Sequence, residues 1–232
     1  MSHETLCHAA RAAGLCLLTL VAVPVAASAA ETPAAPAWRM SVRTFAEEHL
    51  KHAAWGLSHS ERDYDLARQL AARDRVALDD DVLYAAAYLH DVAAFAPYEK
   101  PGVDHADQAA SIVDTLLAGT GFPMAKIEAV RAAIRTHMFV RDPVGAEAIY
   151  LHDADALDWL GAIGVARIFA LVDANGGSPD GPAAVKMLQK NLAEVPPRII
   201  SKAGQALAVG RTRELGEFLR QLGAQTENFR TL

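Results

Sequence analysis

The stretch from Val82 to Leu89, VLYAAAYL, and the adjacent pair His90 and Asp91 decide the fold class of this chain. The stretch is apolar nearly all round, and Ala and Leu are strong helix formers. A helix that is apolar on every side has to be buried by other helices. We therefore expect a buried helix that ends in an ionisable pair, although charged groups rarely join a core without a partner.

The rest of the sequence predicts the same type of secondary structure. The chain has 232 residues, of which 52% are hydrophobic, and β-branched residues are sparse beside Ala, Leu, Arg and Glu, so propensity favours helix over strand. Gly, Pro and Asp positions break the pattern and predict helices over residues 41–54, 59–74, 80–94, 104–118, 124–138, 145–174, 181–193 and 197–224. We predict an all-α fold with one compact multi-helix domain.

The first thirty residues have the layout of a signal peptide. Arg11 precedes the uncharged stretch 15–30, LCLLTLVAVPVAASAA, which ends in small residues. A retained membrane anchor is the alternative, but spanning a bilayer takes about 20 apolar residues, and this shorter run contains Pro24. We expect the following division: residues 1–29 a cleaved signal peptide, 30–38 a linker, 39–226 the folded domain and 227–232 a C-terminal tail.

Cysteine content and charge limit the classes of site and partner. Cys7 and Cys16 would leave with the signal, so a metal site of the exported, periplasmic or secreted chain must use His and carboxylates. A net charge of -6 without a cluster of Lys or Arg argues against a nucleic-acid surface. The sequence leaves the oligomeric state open.

Ionisable side chains lie at the ends of apolar stripes on five predicted helices. On the second predicted helix, the apolar stripe continues toward the N-terminus through Asp63 to His59. The stripe of the fourth helix continues toward the N-terminus to His105, and the stripe of the fifth helix continues toward the C-terminus to His137. The third helix ends in the His-Asp pair. The sixth is apolar and carries three aspartates, Asp153, Asp155 and Asp158.

A shared metal ion explains why ionisable side chains lie near apolar faces on five helices better than five unrelated causes do. A single His at the end of a stripe is more often a hydrogen-bonded core or cap residue than a ligand. Five helices would each need an independent reason for an ionisable group near an apolar face. Imidazole and carboxylate ligands suit Mn, Fe, Co, Ni or Zn, whereas Mg matches so many nitrogens less well.

In order along the chain, five segments resemble the successive motifs of the HD superfamily, which is named for its adjacent His and Asp. They are WGLSHSERDYDLA (55–67), AAYLHDVA (86–93), DHADQAASIV (104–113), IRTHMF (134–139) and LHDADALDWLGAIGVAR (151–167). The C-terminal segment RIISKAGQALAVGRTRELGEFLRQL is similar to the closing helix of a subgroup of small predicted HD hydrolases. The resemblance covers residues 41–225 and implies an HD-type domain with its metal site between the helices.

The resemblance also implies a ligand set, which is His59, His90, Asp91 and Asp155. Preferring Asp155 to Asp153 follows the Ala-Asp pattern of the family, because helical periodicity does not decide between them. Residues two apart on a helix differ by about 200° in direction, so both should not bind one ion. Counterparts of His105 and His137 contact phosphate or a second metal in some family members. This sequence lacks a His-His pair, and we favour a single metal ion.

The implied activity is a metal-dependent phosphohydrolase, which cleaves a phosphoester or phosphoanhydride of a small phosphorylated metabolite or nucleotide. Asp91 or Asp155 would orient or deprotonate the attacking water. His105 would hold the phosphate near a helix N-terminus, and His137 would protonate the leaving group. Arg62 and Lys100 are candidates for binding phosphate, with a solvated surface role as the alternative.

Two other functions fit the same residues. The first is a non-catalytic metal-containing HD domain that binds a nucleotide or another phosphorylated ligand. The second is a structural helical domain without a metal. Complete ligands together with His105 and His137 favour catalysis.

Overall fold

Nine α-helices and three 3-10 turns make up the secondary structure of residues 35–171 and 181–232, which the computed structural model describes. The helices are α1 (Ala37–His49), α2 (Leu57–Asp74), α3 (Asp80–Leu89), α4 (His105–Leu117), α5 (Ile127–Arg135), α6 (Ala146–Leu157), α7 (Gly161–Phe169), α8 (Gly181–Glu194) and α9 (Lys202–Gln225). These described residues contain no strand, which confirms the all-α class. The predicted signal peptide, both cysteines and residues 172–180 lie outside them.

Helix α3 is the buried helix that the sequence predicts. Every residue from Val82 to Leu89 is buried, and the helix packs against α1, α2, α5 and α6. Asp79 caps its N-terminus by accepting hydrogen bonds from the backbone N–H groups of Asp81 and Val82. Burying one large apolar side chain stabilises a fold by about 1.5–3 kcal/mol, so this helix anchors its neighbours.

The α-helix of this segment is shorter than predicted. It ends at Leu89 instead of continuing to residue 94, and a 3-10 turn, Val92–Ala94, follows. Asp91 has φ -97° and ψ 7°, which departs from α-helical geometry. The His-Asp pair therefore lies at a break in the helix, where both side chains can face the same point.

The predicted helix over 145–174 is wrong, because the described part consists of α6 and α7. The chain turns at Leu160, which is extended, and at Gly161, whose φ is +66°. Glycine adopts positive φ without steric cost. A Cβ at Gly161 would also lie 2.8 Å from Glu214 Oε2 of α9. The continuous apolar pattern hides this turn, since an isolated Gly is tolerated inside a helix.

The first and last described helices complete the packing. Helix α1 begins at Ala37, four residues before its predicted start, because Trp38 is buried against the rings of Tyr84 and Phe122. Helix α9 packs on α2, α6, α7 and α8. Within the described ranges, no helix has both the length and the hydropathy needed to cross a bilayer.

Candidate metal centre

Six ionisable side chains from five parts of the fold meet at one point. They are His59 in the first turn of α2, His90 and Asp91 after α3, His105 at the start of α4, His137 after α5 and Asp155 in the last turn of α6. All are buried except His105, whose side chain is 29% exposed. The apolar stripes dock the helices side by side, so the polar residues at the ends of the stripes come together.

Asp91 lies in the middle of four imidazole rings. Its Oδ2 is 3.3 Å from His90 Nε2 and 3.6 Å from His59 Nε2. Its Oδ1 is 3.3 Å from His105 Nε2 and 3.6 Å from His137 Nε2. Burial alone would raise the pKa of the Asp91 carboxyl, but the surrounding histidines hold it well below its usual range.

Three of the imidazoles have their protonation pattern fixed by a hydrogen bond at Nδ1. The acceptors are Asp158 Oδ2 for His59 (2.9 Å), the Ala87 carbonyl for His90 (2.8 Å) and the Ile134 carbonyl for His137 (2.6 Å). A carbonyl or carboxylate oxygen accepts, so each Nδ1 donates and each neutral ring has its lone pair at Nε2. This arrangement prepares an imidazole for metal binding through Nε2.

The Nε2 atoms of His59 and His90 are only 3.3 Å apart. Two neutral rings in this arrangement would direct lone pairs at each other, so the contact favours a proton or a metal ion between the two Nε2 atoms. Burial lowers the pKa of His90 and keeps it neutral. Burial also lowers the pKa of His59, but Asp63, Asp155 and Asp158 raise it to about 10. The carboxylates thus favour positive charge at His59 Nε2, whether a proton or a metal ion supplies it.

The donor atoms fit a divalent ion. His59, Asp63, His90 and Asp155 offer ligand atoms that all lie within 4.8 Å of one another, and so do His90, Asp91 and His137. Mixed imidazole and carboxylate donors suit first-row divalent metals. The cluster therefore has the composition of a metal site without indicating which metal it binds.

The structure separates Asp155 from Asp153, which periodicity could not. Asp155 Oδ1 is 3.2 Å from His59 Nε2. Asp153 points elsewhere and accepts hydrogen bonds from the backbone N–H groups of Ile200 and Ser201, at 3.0 and 2.6 Å. Asp153 thus fixes the segment that leads into α9, while Asp155 belongs to the cluster.

Arg62 and Lys100, the two predicted phosphate contacts, do not line the cavity at the cluster. Arg62 donates hydrogen bonds from Nε and NH2 to Asp158, and Asp158 in turn accepts the hydrogen bond of His59 Nδ1. Arg62 therefore contacts His59 only through this carboxylate. Lys100 is exposed beside a separate groove with Tyr98 and Gln108. The loop after the His-Asp pair carries Lys100 away from the cluster, because the chain runs through the 3-10 turn before α4 begins.

Arg167, which is not among the predicted site residues, also lies at the cluster, and its side chain is 2% exposed. Its Nε donates to the Ala54 carbonyl at 2.7 Å, and its NH2 lies 3.2 Å from His59 Nε2. The guanidinium lies 3.7 Å from the ring centroid of Trp159, which is a cation–π contact. A lone Arg in the apolar segment GAIGVAR was the available signal, but the predicted continuous helix hid the turn that brings it here.

A cavity of about 240 Å³ opens onto the cluster. Polar side chains form its floor, namely Asp91, His105, His137, Asp155 and Arg167, while Trp55, Trp159, Ala94 and Met138 form apolar walls. Imidazole, carboxylate and guanidinium groups therefore all line the cavity and could contact a ligand bound there.

Comparisons with known proteins find similarity to HD-domain proteins. Residues 56–160 match the family model described as HD domain. A predicted HD superfamily hydrolase from an uncultured Thermotogales bacterium is 27% identical with a TM-score of 0.56, and the match covers 81% of this chain and 90% of that chain. The comparison with curated proteins finds no match.

Two further solved structures show the fold. Bacillus subtilis YpgQ, solved in complex with ADP, is 22% identical with a TM-score of 0.62, covering 81% of this chain and 97% of that chain. An HD-superfamily hydrolase from Bacillus thuringiensis is 24% identical with a TM-score of 0.59, covering 82% and 95%.

Proposed function

We propose that this chain, whose residues 56–160 match the HD domain model, is a metal-dependent phosphohydrolase that cleaves a phosphoester or phosphoanhydride of a small phosphorylated metabolite or nucleotide. The observation that carries the proposal is the cavity in which the carboxylate and imidazole cluster, His105 and Arg167 face one space. The likeness to a predicted HD superfamily hydrolase supports hydrolysis as the general reaction.

The cluster would hold the metal through His59, His90, Asp91 and Asp155. A divalent ion there would lower the pKa of a bound water and polarise a phosphoryl oxygen. The Nδ1 hydrogen bonds of His59 and His90 keep their rings oriented toward the ion. Asp91 Oδ1 faces the cavity side and would orient the attacking water by accepting its hydrogen bond.

Three side chains would act on the phosphoryl group itself. His105 is the first residue of α4, so the phosphate it holds would also meet the positive end of this helix. Arg167 would make the phosphate contact that was predicted for Arg62 and Lys100, because its guanidinium lines the cavity. Burial lowers the pKa of His137, but Asp91 raises it above its usual value, which favours the protonated ring. This ring would donate the Nε2 proton to the leaving oxygen, while Nδ1 stays bonded to the Ile134 carbonyl.

The walls of the cavity support an aromatic substrate group. Trp55 and Trp159 are both partly buried and line the space next to the cluster. An indole face can stack on a nucleobase. YpgQ, with its similar fold, was solved with ADP. We therefore include nucleotides among the proposed substrates.

Location and partners belong to the same proposal. We propose that residues 1–29 direct export to the periplasm or the exterior and that cleavage leaves no stable membrane anchor. The partner is then a small phosphorylated substrate rather than a nucleic acid, in keeping with the net charge of -6.

Release of phosphate from a defined panel tests the activity. The purified protein, loaded with Mn²⁺ or Co²⁺, is incubated with nucleoside mono-, di- and triphosphates, sugar phosphates and a phosphodiester. We expect metal-dependent release of phosphate or pyrophosphate from at least one compound, and loss of release with EDTA. Tight binding of one nucleotide without any turnover would contradict the enzyme and favour the non-catalytic binding domain.

A further inference from the structure

The strongest unexplained group near the cluster is the carboxylate of Asp63. It lies on α2 and is 0% exposed, and neither of its oxygens has a hydrogen-bond partner. A buried carboxylate without hydrogen bonds is costly, because it loses its hydration, and its nearest charged contact is the His59 imidazole at 3.2 Å. Such a group calls for a counterion or a ligand.

Asp63 faces the same point as the histidines. It lies one turn after His59, so both residues share one face of α2. Its Oδ2 is 3.2 Å from His59 Nε2 and 3.8 Å from His90 Nε2. The carboxylate thus faces the two Nε2 lone pairs that the Nδ1 hydrogen bonds direct into the cluster.

Neither neighbouring guanidinium group makes a hydrogen bond to Asp63. Arg62 donates its hydrogen bonds to Asp158, at 2.7 Å for the shortest. Arg167 NH1 also lies nearer Asp158, at 3.4 Å. Both guanidinium groups therefore pair with Asp158, and Asp63 remains available to a cation in the cluster.

We infer that Asp63 is an additional ligand of the metal ion that His59, His90, Asp91 and Asp155 are proposed to hold. This inference rests on the metal site of the proposed function and adds a residue to it. Asp63 makes the donor set richer in charged oxygen, which favours Mn²⁺, whereas imidazole donors alone would favour Zn²⁺. Its role is to set metal affinity and metal preference.

The variant Asp63→Asn tests this inference by metal binding rather than by activity. Calorimetric titration with Mn²⁺ and with Zn²⁺ should show an Mn²⁺ affinity lower by about tenfold to a hundredfold, and a smaller loss for Zn²⁺. The rise in melting temperature on adding metal should shrink.

Asp153→Asn is the matched control, since Asp153 is equally buried and is held by two backbone N–H groups. This variant should melt at a lower temperature and keep its Mn²⁺ affinity. Wild-type metal affinity in Asp63→Asn would overturn the inference and leave the proposed function intact. Absence of metal binding by the wild type would overturn both.

Crystals of the wild type soaked with Zn²⁺ give an answer that does not depend on how a variant folds. An Asp63 oxygen is expected within about 2.0–2.2 Å of the ion, the usual distance for a carboxylate ligand. An ion bound by His59 and His90 with both Asp63 oxygens beyond bonding distance would overturn the inference.

Discussion

Replacing Asp91 by asparagine is expected to lower metal-dependent phosphate release by roughly 10²- to 10⁴-fold, the range for losing a positioned proton-transfer group. The change removes the charge at the centre of the four imidazole rings, each of which has its Nε2 within 3.3–3.6 Å of one or other Asp91 oxygen. On the proposed mechanism it also removes a carboxylate ligand of the metal and the carboxylate oxygen that would orient the attacking water. Turnover at saturating metal, measured on the best compound of the panel, checks this result.

The matched control for this variant is Asp65→Asn on the exposed face of α2. It removes the same charge far from the cavity and should leave turnover unchanged. The metal content of the Asp91→Asn protein should be measured in parallel. This measurement separates a loss of turnover caused by weaker metal binding from one caused by the loss of proton transfer. Turnover of Asp91→Asn within threefold of wild type would show that Asp91 has no part in the reaction.

Replacing Asp158 by alanine is expected to lower the free energy of unfolding by about 3–5 kcal/mol, as for breaking a buried ion pair from one side. Asp158 is 2% exposed, and its loss leaves the buried Arg167 without its nearest carboxylate. Arg62 is 35% exposed and regains water, so it adds little to this cost. Denaturant unfolding measures the change.

The same variant should weaken metal binding by about tenfold to a hundredfold, because His59 Nδ1 loses the acceptor that orients the ring. Glu217→Ala, which breaks an exposed pair with Arg220 on α9, serves as the control and should leave both stability and metal affinity unchanged. Wild-type stability and metal affinity in Asp158→Ala would refute the claim that Asp158 orients the His59 ring.

Much of the cluster could be predicted because its residues end apolar stripes. Helix docking is driven by apolar burial, so a polar residue that continues a stripe is carried to the end of the core. His59, His105 and His137 follow this rule, and the His-Asp pair follows the most apolar helix. The all-α fold follows from the same periodicity.

Other parts depend on contacts between distant segments, which local patterns do not contain. Asp153 is held by backbone groups 47 and 48 residues further along the chain, and this contact separates it from Asp155. Arg167 reaches the cluster only because the chain turns at Gly161. Lys100 follows a break in the helix that the apolar pattern did not show, so its predicted approach to phosphate has no structural support.

Metal binding by the purified protein tests the central claim most directly. Native mass spectrometry after loading with Mn²⁺, Fe²⁺, Co²⁺, Ni²⁺ or Zn²⁺, on the wild type and on His90→Ala, measures it without any assumption about substrate. The account predicts that the wild type binds a divalent ion and that His90→Ala does not, since His90 belongs to both groups of convergent donor atoms. A wild type that binds none of these ions, or a His90→Ala variant that binds them equally well, would contradict it.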